Sequence, residues 1–118
     1  MNTNSGQAVS IRNSFAKTEP SRAEIDAQRG PWVLEFGTPW CSHCLAAQPL
    51  IAQAFAQHSN IAHLKIEDGR GRALGRSFEI KLWPTLVFLK DGQEVERLVR
   101  PRSAERIAEA MQKISLVG

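Results

Sequence analysis

Apolar positions along this chain fall into four short runs and two longer amphipathic stretches. Trp32-Val33-Leu34-Glu35-Phe36 is almost continuously apolar, as in a strand covered on both faces, and Glu35 interrupts it. Ile61 to Ile66 and Thr85-Leu86-Val87-Phe88-Leu89 read as a second and a third strand, and Glu94 to Val99 as a fourth. Asp91-Gly92, between the last two, predicts a tight hairpin turn. Ser42 to Gln57 is rich in Ala, Leu and Gln and reads as a helix, with Leu45, Ile51, Ala52 and Phe55 supplying much of its apolar face and Pro49 expected to kink it. Ser103 caps a last helix that carries Ile107, Ala110, Met111 and Ile114 on one side. Two shorter helical stretches run from Arg22 to Arg29, between a Ser21 cap and a Gly30 stop, and from Arg72 to Ser77.

After the first short helix, the order is strand, helix, strand, helix, hairpin, helix. A parallel unit followed by an antiparallel hairpin makes a mixed α/β sheet with helices on both sides. Residues 1 to about 18 are polar, and Ala8-Val9-Ser10-Ile11 is a candidate edge strand. No internal repeat is visible.

Composition narrows the class. At 118 residues, with 42% hydrophobic and 23% charged side chains, the chain reads as one globular domain rather than a disordered one. No run approaches the roughly 20 apolar residues of a membrane span. The polar N-terminus lacks the basic and apolar segments of a secretory signal, so the cytoplasm is the default expectation. The net charge is +3, and the excess lies late in the chain: residues 65–106 hold ten basic and seven acidic side chains. Arg70, Arg72 and Arg76 cluster there, as do Arg97, Arg100, Arg102 and Arg106. Such clusters are either an ordinary solvated surface or a preference for acidic partners. No nucleic-acid motif accompanies them.

The chain has two cysteines, Cys41 and Cys44. So short a loop gains little from a crosslink, which argues against a structural staple. The pair follows a strand and opens a helix, whose N-terminus favours a thiolate at Cys41. Cys41 is then the exposed sulfur that attacks a disulfide, and Cys44 the one that resolves the mixed disulfide. An imidazolium or N–H donor on His43 near the Cys41 sulfur adds to this and makes the pair more oxidising. Two other readings stand beside it: half a zinc site, for which only His43, His58, His63 and carboxylates remain as ligands, and an inactive relic in an interaction domain.

Trp40-Cys41-Ser42-His43-Cys44 resembles the WCxxC active site of the thioredoxin family. Pro49 matches that family's helix-kinking proline, Trp83-Pro84-Thr85 its cis-proline segment, and Lys90-Asp91-Gly92 its hairpin turn. Glu35 falls where thioredoxins have a buried Asp. The resemblance covers roughly residues 22–115. It implies the thioredoxin fold over residues 19–118, a central mixed sheet of about four or five strands flanked by helices on both faces, preceded by the polar segment 1–18.

It also implies a thiol:disulfide oxidoreductase that works through a redox-active Cys41–Cys44 disulfide, without cofactor or metal. Its partners would be protein disulfides and an electron donor of the thioredoxin-reductase or glutathione type. A monomer is expected, with neither nucleic acid nor membrane as partner. Trp40 would cover the site, and Trp83, Pro84 and Thr85 would line the substrate groove, Pro84 keeping the neighbouring backbone open to pair with a substrate chain. Glu35, as an unpaired buried carboxylate, would accept the Cys44 proton through water, or else reach solvent or an Arg or Lys. His63 falls near the position where thioredoxins often carry Lys beside that acid, or else is a partly buried histidine without a chemical role. Ser42-His43 replaces the common Gly-Pro, and Arg100-Pro101 lies where a Gly usually leaves room for substrate. Arg100 would narrow the groove or select acidic partners. The alternative function is a noncatalytic interaction module using Trp40, Trp83 and Pro84.

Overall fold

The computed structural model describes residues 14–16 and 18–115. The candidate edge strand at Ala8–Ile11 lies outside them. Along the chain come α1 (Arg22–Asp26), β1 (Pro31–Gly37), α2 (Ser42–Phe55), β2 (Ala62–Glu67), α3 (Ala73–Ser77), β3 (Thr85–Lys90), β4 (Gln93–Val99) and α4 (Ala104–Ile114). The four strands form one sheet in the order β2-β1-β3-β4, with β1 parallel to β2 and antiparallel to β3.

Side chains alternate across this sheet and divide the core in two. Val33, Leu86 and Phe88 point to one face, where α2 and α4 cover them with Ala47, Ile51, Phe55, Ile107 and Met111. Leu34, Phe36, Val87 and Leu89 point to the other, under Ile25 of α1 and Leu74 of α3. Burial on both faces is why β1 and β3 read as continuous apolar runs.

The short helices end where their caps dictate. Ser21 accepts from the Glu24 N–H while the Glu24 carboxylate accepts from the Ser21 N–H, a reciprocal box that starts α1. The helix ends at Asp26, earlier than the sequence suggested, and Gly30 instead makes the turn into β1 with φ 82°. The buried side of α2 also differs from expectation. It is Cys44, Ala47, Ile51, Ala54 and Phe55, whereas Leu45 and Ala52 are exposed. The helix is anchored by Cys44, which turns the Leu45 side away from the sheet. It runs on through Pro49.

Candidate active site

The site forms where β1 ends and α2 begins. Cys41 is the N-cap of α2, with extended backbone, and its sulfur accepts a hydrogen bond from the Cys44 N–H at 3.2 Å. A thiol here does the work usually done by a Ser or Asp oxygen. That places the Cys41 sulfur at the positive end of the α2 dipole. Both cysteines are free. Cys41 is not the open sulfur that the sequence suggested: it is 8% exposed, against 3% for Cys44, because the capping geometry folds it back over the helix. The backbone at Gly37 passes close to Cys44, since a Cβ there would lie 2.5 Å from the Cys44 sulfur.

Burial pushes the Cys44 thiol up, from 9.0 to about 12, aided by its hydrogen bond with Cys41 and by the charges of Cys41 and Glu35. A hydrogen bond with the Thr38 backbone opposes this shift. Below pH 9.0 this thiol is protonated both folded and unfolded, and the fold keeps its full stability. As pH rises from 9.0 toward about 12, the unfolded chain ionises first and stability is lost. Reduced protein is therefore expected to lose up to about 1.4 kcal/mol per pH unit more than Cys44→Ser in this window. Urea denaturation at pH 8, 9 and 10 measures it, and parallel curves for the two proteins would contradict the burial effect.

Glu35 is fully buried and well paired, so of the two expectations it is the contact with a basic side chain, and not the unpaired carboxylate, that holds. Its carboxylate accepts from the Gln48 side-chain amide at 2.8 Å, lies 2.8 Å from His63 Nε2, and has Lys65 Nζ at 3.8 Å. The Lys65 ammonium in turn donates to Gln48 Oε1 at 3.0 Å. The parallel register explains the set: Glu35 lies opposite Lys65 and Val33 opposite His63, so all four side chains face α2. His63 therefore does lie beside the acid, as the resemblance implied, and Lys65 adds a second, longer contact. The His63 ring stacks on Phe55 with centroids 4.3 Å apart, and its Nδ1 is buried with no hydrogen-bond partner among the described residues. That lone nitrogen favours the tautomer in which Nε2–H donates to Glu35 and Nδ1 keeps a bare lone pair. Gln48 and Lys65 escaped the sequence reading. Lys65 had a signal: like Glu35, it interrupts an apolar strand.

Against Trp40, the residue before Cys41, lies the loop before β3, where the Trp83–Pro84 peptide bond is cis. Trp40 is 71% exposed and meets Trp83 edge-on at 5.8 Å, so it is a surface residue rather than part of the core. The Trp83 indole N–H donates to Asp68 at 2.9 Å. Thr85 does not line a groove with its side chain: it is buried, and its hydroxyl donates to the Leu82 carbonyl at 2.6 Å, which braces the loop. Arg100 has φ 51°, the left-handed region that favours Gly. Its backbone N–H donates to the Pro84 carbonyl at 2.9 Å and its Nε to the Trp83 carbonyl at 2.8 Å. The backbone beside Pro84 is therefore partly occupied from within. His43 is exposed, and among the described residues no hydrogen bond joins its ring to either sulfur. None of the described residues forms a cluster of three or more His, Cys, Asp or Glu able to hold a metal.

The family model for thioredoxin matches residues 14–113. The chain belongs to the thioredoxin family. It is 30% identical over 96 residues to a TPR repeat-containing thioredoxin of Arabidopsis thaliana, covering 81% of this chain but 25% of that longer one. Thioredoxin Asp f 28 of Aspergillus fumigatus is 29% identical over 86 residues, which cover 73% of this chain and 80% of the relative. Among solved structures, reduced thioredoxin 2 from Pseudomonas aeruginosa PAO1 is 52% identical, covers 88% of this chain and 96% of its own, and superposes with a TM-score of 0.79. Thioredoxin-fold proteins act through their own cysteine pair and need no cofactor. This thioredoxin-family protein is accordingly a disulfide oxidoreductase acting through Cys41 and Cys44.

Proposed function

We propose that the chain reduces or exchanges protein disulfides, with Cys41 as nucleophile and Cys44 as resolving thiol. The observation that carries this is the unequal setting of the two sulfurs: Cys41 caps a helix, while the Cys44 thiol is buried and pushed up to about 12. The Cys41 thiolate attacks one sulfur of the substrate disulfide. A mixed disulfide forms and the first substrate thiolate leaves, taking a proton from solvent. Cys44 then gives up its proton and attacks the Cys41 sulfur, releasing the second substrate thiol. The substrate gains two electrons, and the chain is left with a Cys41–Cys44 disulfide. The dithiol of a thioredoxin-reductase-type enzyme, or two molecules of glutathione that leave as glutathione disulfide, returns it to the reduced form.

Glu35 is the base for the second step, because its charge already acts on the Cys44 thiol and three nitrogen groups hold its carboxylate in place. Cys44→Ser should trap substrates from a lysate as mixed disulfides on Cys41. Glu35→Gln should slow release of the second thiol about 100-fold at pH 7 while leaving the first attack intact. Capture that persists with both cysteines replaced would instead favour a binding module.

The pair is also more oxidising than a general thioredoxin. His43, Arg100 and Arg102 line one pocket next to the start of α2, and positive charge there favours the Cys41 thiolate and so the reduced state. Equilibration with glutathione should give a potential above about −270 mV, moving down in His43→Ala. A wild-type value at or below about −270 mV would overturn this reading.

A further inference from the structure

The late arginine cluster separates into two kinds once its partners are known. Arg97 is paired with Glu94, and Arg106 with Glu96 and Glu109. Among the described residues, no carboxylate pairs with Arg100 or Arg102, and both are exposed. These two, with Pro101 between them, form one wall of a cavity of about 370 Å³. His43, Ala46, Ala47 and Leu50 of α2 form the other. Among the described residues, no acidic side chain lines it. The volume falls within the range of built ligand sites.

One wall is held in position. Arg100 is fixed at its backbone to Pro84 and at Nε to the Trp83 carbonyl. That second bond orients the planar guanidinium and leaves the Nη donors available. A fixed fork loses less entropy on meeting a carboxylate than a free side chain does. His43 lies two residues after Cys41, so the pocket borders the redox site and a chain attacked at Cys41 passes its rim.

We propose that this pocket is a specificity site that takes the carboxylate of an Asp or Glu next to the disulfide cysteine of a protein substrate. The inference rests on the cysteine pair acting as described above and adds the substrate class. Arg100 and Arg102 supply the charge, His43 a further N–H donor, and Leu50 and Ala47 a floor for the aliphatic stem. The same arrangement disfavours substrates with Lys or Arg at that place, through like-charge repulsion.

Two disulfide peptides that differ only in Glu or Gln beside the cysteine test it. At low salt, kcat/KM should be about fivefold higher for the Glu peptide, the scale of a partly exposed charge pair. A Lys peptide should fall below Gln. The Glu-to-Gln ratio should approach one in Arg102→Gln and in the Arg100→Gln, Arg102→Gln double variant. It should also collapse in 0.5 M NaCl, where screening acts over a few ångströms. A ratio of one in wild type, with the Gln peptide reduced at a measurable rate, overturns the specificity site and leaves the oxidoreductase standing. A raised ratio that persists in the double variant also overturns it. If neither peptide is reduced, the reading of the cysteine pair fails, and this inference with it.

Discussion

Cys41→Ser is expected to lower insulin-disulfide reduction by at least about 1000-fold while leaving the fold intact. The two halves of this expectation have separate causes. Serine is among the best N-cap residues, so its oxygen takes over the Cys44 N–H that the Cys41 sulfur now accepts at 3.2 Å. Melting should move by no more than the small change of one cap for another. The chemistry has no such substitute. A hydroxyl is scarcely ionised near neutral pH, and it forms no disulfide with Cys44. Turbidity from reduced insulin in dithiothreitol reads the activity, and thermal unfolding of the same sample reads the fold. Residual activity above about one part in a hundred would mean that another group attacks the substrate.

The largest expected loss of stability comes from the hairpin, away from the cysteines. Asp91 and Gly92 both have positive φ, 51° and 80°, the turn that a twisted two-residue hairpin requires. Its tip is pinned: the Asp91 carboxylate accepts from the Gly30 N–H at 2.8 Å, and the Asp91 N–H donates to the Gly30 carbonyl at 3.0 Å. That holds Gly92 against the end of α1, where an added Cβ would lie 2.0 Å from the Asp26 carbonyl oxygen. Backbone cannot step aside as a flexible side chain can. Gly92→Ala should therefore cost about 3 kcal/mol or more, combining overpacking with a strained φ, and lower Tm by about 10 °C or more. Gly71→Ala is the control. Its φ of 79° is almost the same, but none of the described residues lies within 4 Å of the added Cβ, so only the backbone cost of about 1 kcal/mol should appear. Equal losses at the two positions would mean that the contact with α1 contributes nothing.

Much of this was legible along the chain because it is local. The strand and helix periods, the Ser21 and Ser103 caps and the Asp91-Gly92 turn each depend on residues a few positions apart. The cysteine pair is local too, and its place between a strand and a helix follows from the pattern around it. The face of α2 was misread at Leu45 because that helix takes its orientation from the sheet beneath it rather than from its own weak amphipathic pattern.

The sequence by itself determined the order of elements and the presence of a redox-type cysteine pair at the head of a helix. Only the tertiary structure decided what surrounds that pair. Glu35, Gln48, His63 and Lys65 are brought together by the register of two parallel strands under a helix, a pairing set by how buried faces fit and not by any spacing along the chain. Arg100 is likewise a loop residue in the sequence. It becomes a clamp on the Trp83–Pro84 segment only when β4 returns beside β3 and places its guanidinium against the Trp83 carbonyl.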